Sequence, residues 1–448
     1  MPRLDRFPYA FAALAGLALT LAACGDKDAK KGASPDLSAP SGTGGSSQPN
    51  KVDATATTTV RAGAGGYGYA AALGDELDKQ TGEALHKGRT YLLGKRDDAT
   101  GGWDPTGPVA AGYTAFGALA LIATTPKESV STDPTILKAL EFLKSKQKDD
   151  GSIWSNAQYV NYETSVALAA LAGARVAAMS GVQGKARDFI AASQIHADET
   201  ALSYGGFPYQ SKSDPTAPAD LSNAQFAAAG LHEAGLPADN EVWKRLAAYL
   251  AKVQNRAETN TTVVKRADKD LKTEVEIVSG NDGGAGYGPG MSKSGLIKRA
   301  DGKYEVRSYG SMTYALVKCL LFAGVKADDP RVAAAIAWAS KNFALDRNPG
   351  FEHDADAAKK GQQGYYYYLL TMARALAEYE KATGKAMTVT DAEGKPHAWR
   401  REIAARLVSL QKADGSWQNP VDRWEEGNPL VVSSYAMQAL AICQGRLP

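Results

Sequence analysis

Apolar positions along this chain fall into two alternating patterns. In the first, Ile403, Leu407 and Leu410 recur at helical steps, with Arg400, Arg401, Glu402 and Arg406 between them. That spacing predicts a helix with one buried stripe and one wet face. In the second, the run from Val431 to Cys443 is apolar or small almost throughout and has no charged face. That pattern predicts a helix buried on most sides. Between the two lies Asp414-Gly-Ser-Trp417. The glycine can take the left-handed conformation that stops a helix, and the tryptophan brings a large ring to bury.

The unit recurs along the chain. Its turns are Gly101-Gly-Trp103, Gly151-Ser-Ile-Trp154, Gly205-Gly-Phe207, Gly283-Gly-Ala-Gly-Tyr287, Gly350-Phe351 and Gly415-Ser-Trp417. Amphipathic stretches precede the turns, among them 82–94, 134–148, 185–193, 240–254 and one beginning at Asp329-Pro330. Small-residue-rich apolar stretches follow at 110–123, 163–179, 223–234, 311–323, 365–379 and 431–443. Helices without a solvent stripe need neighbours on most sides, whereas helices with one can face water. The pattern therefore predicts an all-α fold, an (α/α)6 toroid with an inner ring wrapped by an outer ring. Trp103, Trp154, Phe207, Tyr287, Phe351 and Trp417 are its expected structural aromatics.

Helix pairs joined by such a turn resemble the α/α toroid of squalene/hopene cyclases and protein prenyltransferase β-subunits. Leu407…Gln411…Gly415-Ser-Trp417 looks like the cyclase "QW" repeat, and Leu143…Gln147…Gly151…Trp154 is a second match. The resemblance covers roughly residues 70–445. It speaks for fold more than for reaction, since one fold hosts many functions.

The fourth unit departs from the pattern. More than fifty residues separate its outer and inner helices. Glu274 to Val278 alternates like a strand, and 295–307 reads as a hairpin around Asp301-Gly302. The insertion is expected as a small β-hairpin, either a lid over the central cavity or a decoration on the rim. A second small hairpin is expected at 387–396.

The first residues change the picture of where the protein works. Arg3 and Arg6 precede an apolar run from Phe11 to Leu21, and Leu21-Ala-Ala-Cys24 resembles the bacterial lipobox. The resemblance implies a signal peptide over 1–23 and acylation of Cys24. Residues 24–66 are rich in Gly, Ser, Pro and Thr and read as a tether, leaving 67–448 for the toroid. The expected setting is a bacterial cell envelope, lipid-anchored, with the outer membrane and periplasm favoured by Gly25 after the cysteine. A net charge of +2 over 448 residues offers no electrostatic footprint for nucleic acid. Cys319 and Cys443 fall inside inner helices and are expected as two buried free thiols.

Candidate chemistry belongs where inner helices begin, because their free N–H groups and dipoles converge on one mouth. Tyr113, Tyr162, Asn223, Gln225, Tyr309, Tyr365 and Tyr366 are the candidate ligand-binding residues. Asp220, Glu163 and Glu425 are the weak candidates for an acid. The cyclase family's Asp-x-Asp-Asp-Thr-Ala motif has its nearest match in Ala219-Asp-Leu-Ser-Asn-Ala224, where Leu221 takes the place of the acid. Asp220 is one residue off, about 100° around a helix, and reads better as an N-cap. The prenyltransferase zinc positions hold Tyr309, Ser311 and Gly364, so no metal and no cofactor are expected. His353-Asp354-Ala-Asp356 has metal-like composition but reads as a solvated loop. The functional expectation is a ligand or partner bound in an aromatic cavity, the partner being a small molecule, a peptide or a protein. The alternative is an enzyme acting on an isoprenoid or glycan with a non-standard acid.

Overall fold

A computed structural model of the chain describes residues 73–446, apart from 211–215 and 269–272. The signal, Cys24 and tether segments lie outside the described residues. Six helices form the outer layer: α1 (Asp75–Leu93), α3 (Pro134–Ser145), α5 (Ser180–Ser193), α7 (Glu241–Val253), α9 (Pro330–Lys341) and α12 (Trp399–Leu410). Six form the inner layer: α2 (Ala110–Thr124), α4 (Val160–Ala174), α6 (Leu221–Glu233), α8 (Gly310–Phe322), α11 (Tyr365–Thr383) and α13 (Pro429–Cys443). A short α10 (Ala357–Gly361) lies in the loop before α11. Each inner helix packs on the next, α2 on α4, α4 on α6, α6 on α8, α8 on α11, α11 on α13, and α13 back on α2. The ring is closed, and the all-α toroid expected from the pattern is the fold observed.

Three boundaries differ from the sequence expectation. Helix α1 starts at Asp75, well before residue 82. Its first turns, Asp-Glu-Leu-Asp-Lys-Gln, carry no apolar repeat, but Asp75, Glu76 and Asp78 suit the positive end of a helix. Helix α4 stops at Ala174, because Arg175 turns left-handed at φ 53°. The apolar run to residue 179 therefore splits into α4 and a 3-10 turn at Ala177–Met179. Helix α5 reaches back to Ser180, again through polar residues.

Glutamines stitch the units together. Gln147 Nε2 donates to the Gly151 carbonyl (3.1 Å) and to the Val182 carbonyl of α5 (2.9 Å). Gln194 joins Gly205 and Val242 of α7. Gln254 joins Gly283 and Arg331 of α9. Gln411 closes the ring, reaching Gly415 (2.9 Å) and Ala84 of α1 (2.8 Å). In four of the six units one amide thus ties the turn to the next outer helix, satisfying carbonyls that burial would otherwise leave unpaired. The sequence resemblance singled out only Gln147 and Gln411. The turn glycine is required by contact as well as conformation. At Gly205 (φ 82°) an added Cβ would stand 1.9 Å from the Arg245 carbonyl oxygen of α7.

The buried turn side chain is the second residue after that glycine: Trp103, Ile153, Phe207, Ala285 and Trp417. In four of these the backbone N–H donates to a hydroxyl near the start of the following inner helix, Thr114, Thr164, Thr313 or Ser433. Phe351 of the fifth unit is buried too. Trp154 and Tyr287, expected as structural aromatics, are not in the core position. Ile153 takes the place of Trp154, which is half-buried with the Lys148 ammonium 4.7 Å over its ring. Ala285 takes the place of Tyr287, which is released toward the barrel mouth.

The insertion in unit four is larger than a hairpin. Strands β1 (Val264–Asp268), β2 (Thr273–Val278), β3 (Leu296–Lys298) and β4 (Tyr304–Val306) form one sheet ordered β1-β2-β4-β3. The hairpin around Asp301-Gly302 is β3–β4, and β4 adds to β2 in parallel. The edge strand β1, Val-Lys-Arg-Ala-Asp, has no alternation to betray it. The sheet packs at the end of α7, where Asn255 Nδ2 donates to the Val306 carbonyl (2.7 Å). None of its strand residues lines the central opening, so it decorates the rim. The small hairpin expected at 387–396 is β5 (Val389–Thr390) with β6 (Pro396–His397). Cys319 and Cys443 are buried free thiols. No described helix is long and apolar enough to cross a membrane.

Candidate functional site

The barrel axis is blocked halfway by five rings. Phe116 of α2 meets Tyr162 of α4 (6.4 Å between centroids), Phe226 of α6 (6.2 Å) and Tyr435 of α13 (5.3 Å). Tyr367 of α11 closes on Phe226 and Tyr435, both at 6.0 Å. The small residues around them on the inner helices let these rings fill the centre. The plug leaves a cavity at each end. The upper one opens where the inner helices begin.

Aromatic side chains dominate its wall. Tyr162, Tyr309, Tyr367 and Tyr435 come from inner-helix starts, while Tyr159, Tyr209, Tyr287 and Trp424 come from loops. The Tyr209 and Tyr287 hydroxyls bond each other at 2.9 Å. Burial pushes the lining phenols up from their ordinary value, so they stay protonated and able both to donate and to accept. Ser222 and Ser311 add hydroxyls to the wall.

Trp424 is held there by an unusual backbone. It and Glu425 are adjacent left-handed non-glycine residues, at φ 57° and 65°. Such conformations cost on the order of 1–3 kcal/mol each and persist only where surroundings impose them. The Trp424 ring lies against the backbone of Gly364, where an added Cβ would stand 2.8 Å from it. Gly364 is itself left-handed, so any side chain there would both strain the turn and displace the ring.

Glu426 is the one carboxylate lining this cavity. It is fully buried, accepting from the Tyr367 N–H (2.7 Å) and from Asn419 Nδ2 (2.6 Å). It caps the start of α11, whose own N-cap, Gly364, has no side chain to do so. Burial nevertheless outweighs those donors and lifts its carboxyl to about 7.

The other acids sit behind the wall. Asp220 caps α6 through the Asn223 N–H (2.8 Å) and also accepts from Asn223 Nδ2 (2.9 Å). Burial raises its carboxyl from the ordinary value, and Lys293 opposes the rise. Glu425 accepts from the Tyr113 hydroxyl at 3.0 Å. Glu163 is wedged between α2 and α4, with one oxygen accepting from the Ser155 N–H (2.6 Å) and the other unpartnered.

Burial, the largest cause, holds the Glu163 carboxyl up at about 7, against an ordinary 4.5. Between those values the folded chain keeps a proton that the unfolded chain has released. Stability from this residue is therefore full below pH 4.5 and declines as pH rises toward 7. Glu163→Gln keeps the acceptor and removes the titration. At pH 8 the variant should exceed wild type by about 3 kcal/mol, with the gap closing near pH 4.5. Urea unfolding across that range checks it; a gap independent of pH would reject the assignment.

Of the candidate ligand-binding residues, Tyr162 and Tyr309 line the upper cavity. Gln225 lines the lower one. Tyr113, Asn223, Tyr365 and Tyr366 line neither. The Tyr365 hydroxyl donates to the Leu345 carbonyl and accepts from Arg406 Nε (2.9 Å), tying α11 to the outer layer. Tyr367, the next residue but one, is the tyrosine of that run that reaches the axis. Trp424 and Glu426 carried no sequence signal, since both act from a loop without periodicity. His353 bonds the Ser294 carbonyl, and no metal-like cluster occurs among the described residues.

No protein-family model matches the chain, and no curated protein does. Solved structures do resemble it. The type II terpene cyclase MstE from Scytonema with merosterolic acid A aligns over 82% of this chain and 98% of its own, at TM-score 0.48 and 16% identity. The same cyclase with geranylgeranyl dihydroxybenzoate aligns over 82% and 99%, at TM-score 0.47 and 15% identity. A protein from Actinoplanes aligns over 81% and 99%, at TM-score 0.46 and 18% identity. The likeness to the terpene cyclases is one of fold.

Proposed function

We propose that this chain is a lipid-anchored envelope protein that binds a neutral ligand in its upper cavity. The observation that carries the reading is the wall itself: eight tyrosine and tryptophan side chains around one opening, with no cation among the lining residues. Ring faces suit a flat apolar surface, and the hydroxyls suit a ligand with hydrogen-bonding edges. The anchor rests on the Leu21-Ala-Ala-Cys24 pattern and is tested by labelling with a fatty-acid analogue, which Cys24→Ala should abolish.

The binding reading is tested by extracting the purified full chain and identifying the released compound by mass spectrometry. A single compound near one per chain is expected. Trp424→Ala should lower its occupancy at least tenfold, a loss of about 1.4 kcal/mol or more. An empty wild-type protein, or equal occupancy in the variant, would count against the cavity.

Glu426 supports a second reading, in which the same cavity is catalytic. A carboxyl held near 7 is poised to give or take a proton at neutral pH. Incubation with squalene separates the two. Binding alone yields no cyclised product, whereas a triterpene lost in Glu426→Gln would make the protein an enzyme.

A further inference from the structure

The lower cavity is separate from the site just described. It lies on the other side of the plug, whose Phe226 and Tyr367 line both chambers. All six inner helices or their ends contribute to it, mostly from their C-terminal halves. Leu119, Val166, Leu370 and Ile442 give it apolar walls.

Three cations line the chamber, Lys318, Arg374 and the exposed Arg446, and Lys318 is the deeply buried one without an ion pair. Lys318 of α8 is only 5% exposed, and its ammonium donates to the Gln225 side-chain oxygen. Among the described residues no carboxylate forms an ion pair with it. The two acids on that side are already engaged. Glu233 pairs with Arg374, and Glu378 pairs with Arg374 (3.0 Å) and Lys381 (3.7 Å). Buried charges are normally compensated, because desolvating an ammonium costs several kcal/mol that a neutral amide only partly returns. Burial accordingly lowers the Lys318 amine to about 8, which still leaves it mostly protonated at neutral pH.

We propose that the lower cavity binds a long-chain monocarboxylate, with its head on Lys318 and Gln225 and its chain against the apolar walls. The headgroup supplies the missing counter-charge. A single negative charge matches Lys318, the buried cation of the lining without an ion pair, since Arg374 is committed to Glu233 and Glu378 and Arg446 is exposed to water. Gln225 can add a hydrogen bond from its amide. Phe226 and Tyr367 close the inner end, so the ligand does not reach the upper chamber.

Titration of the full chain with cis-parinaric acid, a fluorescent polyene acid, reads this directly. Saturable binding at one per chain is expected, with the methyl ester binding at least tenfold more weakly. Lys318→Met keeps the volume and removes the charge, and should weaken the acid at least tenfold while leaving the ester unchanged. Equal affinity for acid and ester in the wild-type chain would overturn the proposal even if the variant did not fold. So would acid binding that Lys318→Met leaves intact, or fluorescence that never saturates.

Discussion

Trp417→Ala should destabilise the protein by about 3–5 kcal/mol, the cost of emptying a fully buried large aromatic site. The Trp417 side chain is 0% exposed, and its indole N–H donates to the Leu407 carbonyl at 2.8 Å. Its ring presses against Gly88 of α1, where an added Cβ would stand 2.9 Å from the ring. Alanine would therefore leave a void where α12 and α13 meet α1, and would orphan a buried carbonyl as well. The loss falls at the seam that closes the ring, beside the Gln411 bridge to Ala84. Urea unfolding followed by circular dichroism measures it. Trp154→Ala serves as the contrast, because that ring is half-buried under Lys148 and its loss should cost less than about 1 kcal/mol. Similar costs for the two would mean that the turn aromatics are not distinguished as described.

Glu380→Ala should cost a comparable amount, again about 3–5 kcal/mol, by stranding a buried cation. Glu380 of α11 is 2% exposed and Arg400 of α12 is 6%. Arg400 Nη2 reaches Glu380 Oε2 at 2.6 Å, and its Nη1 donates to the Ile442 carbonyl at the end of α13. The other Glu380 oxygen accepts from Trp399 Nε1 (3.1 Å) and from the Met387 N–H (2.9 Å). Removing the carboxylate leaves a guanidinium, an indole N–H and an amide N–H without their acceptor. Adding Arg400→Met should return part of the loss, since two apolar groups need no partners. A double variant no more stable than Glu380→Ala would show that the carboxylate's other two bonds carry the whole effect.

The candidate site was legible in part. The inner-helix starts named from the sequence border the upper cavity, because helix direction follows from the order of the two patterns and the inner helices begin at one mouth. Tyr162 and Tyr309 could be placed there by register alone. The tyrosine run 365–368 shows the limit of that reasoning. Successive residues turn about 100° around a helix, so one of the four faces the axis, and a run of four identical residues does not say which. Tyr367 does, while Tyr365 faces the outer layer. The carboxylate that lines the cavity is one residue from the candidate Glu425. Glu425 turns to Tyr113 and Glu426 turns to the cavity, in a left-handed loop that has no period to read.

The toroid was determined by the sequence itself, because its cause is local and repeated. A one-faced helix, a glycine stop and an all-round apolar helix can each be recognised within a few turns, and their alternation leaves a closed double ring as the way to bury them all. The Asp220 cap was readable for the same reason, since its partner is three residues away. The rest depends on residues far apart in the chain. Which side chain fills a turn, Ile153 rather than Trp154, depends on the next outer helix. The plug joins Phe116 to Tyr435, from the first and last inner helices, where the ring closes. The two cavities, the lining carboxylate Glu426 and the uncompensated Lys318 follow from that plug. Each arises from side chains of several helices meeting on one axis, and the packing of the ring decides that meeting.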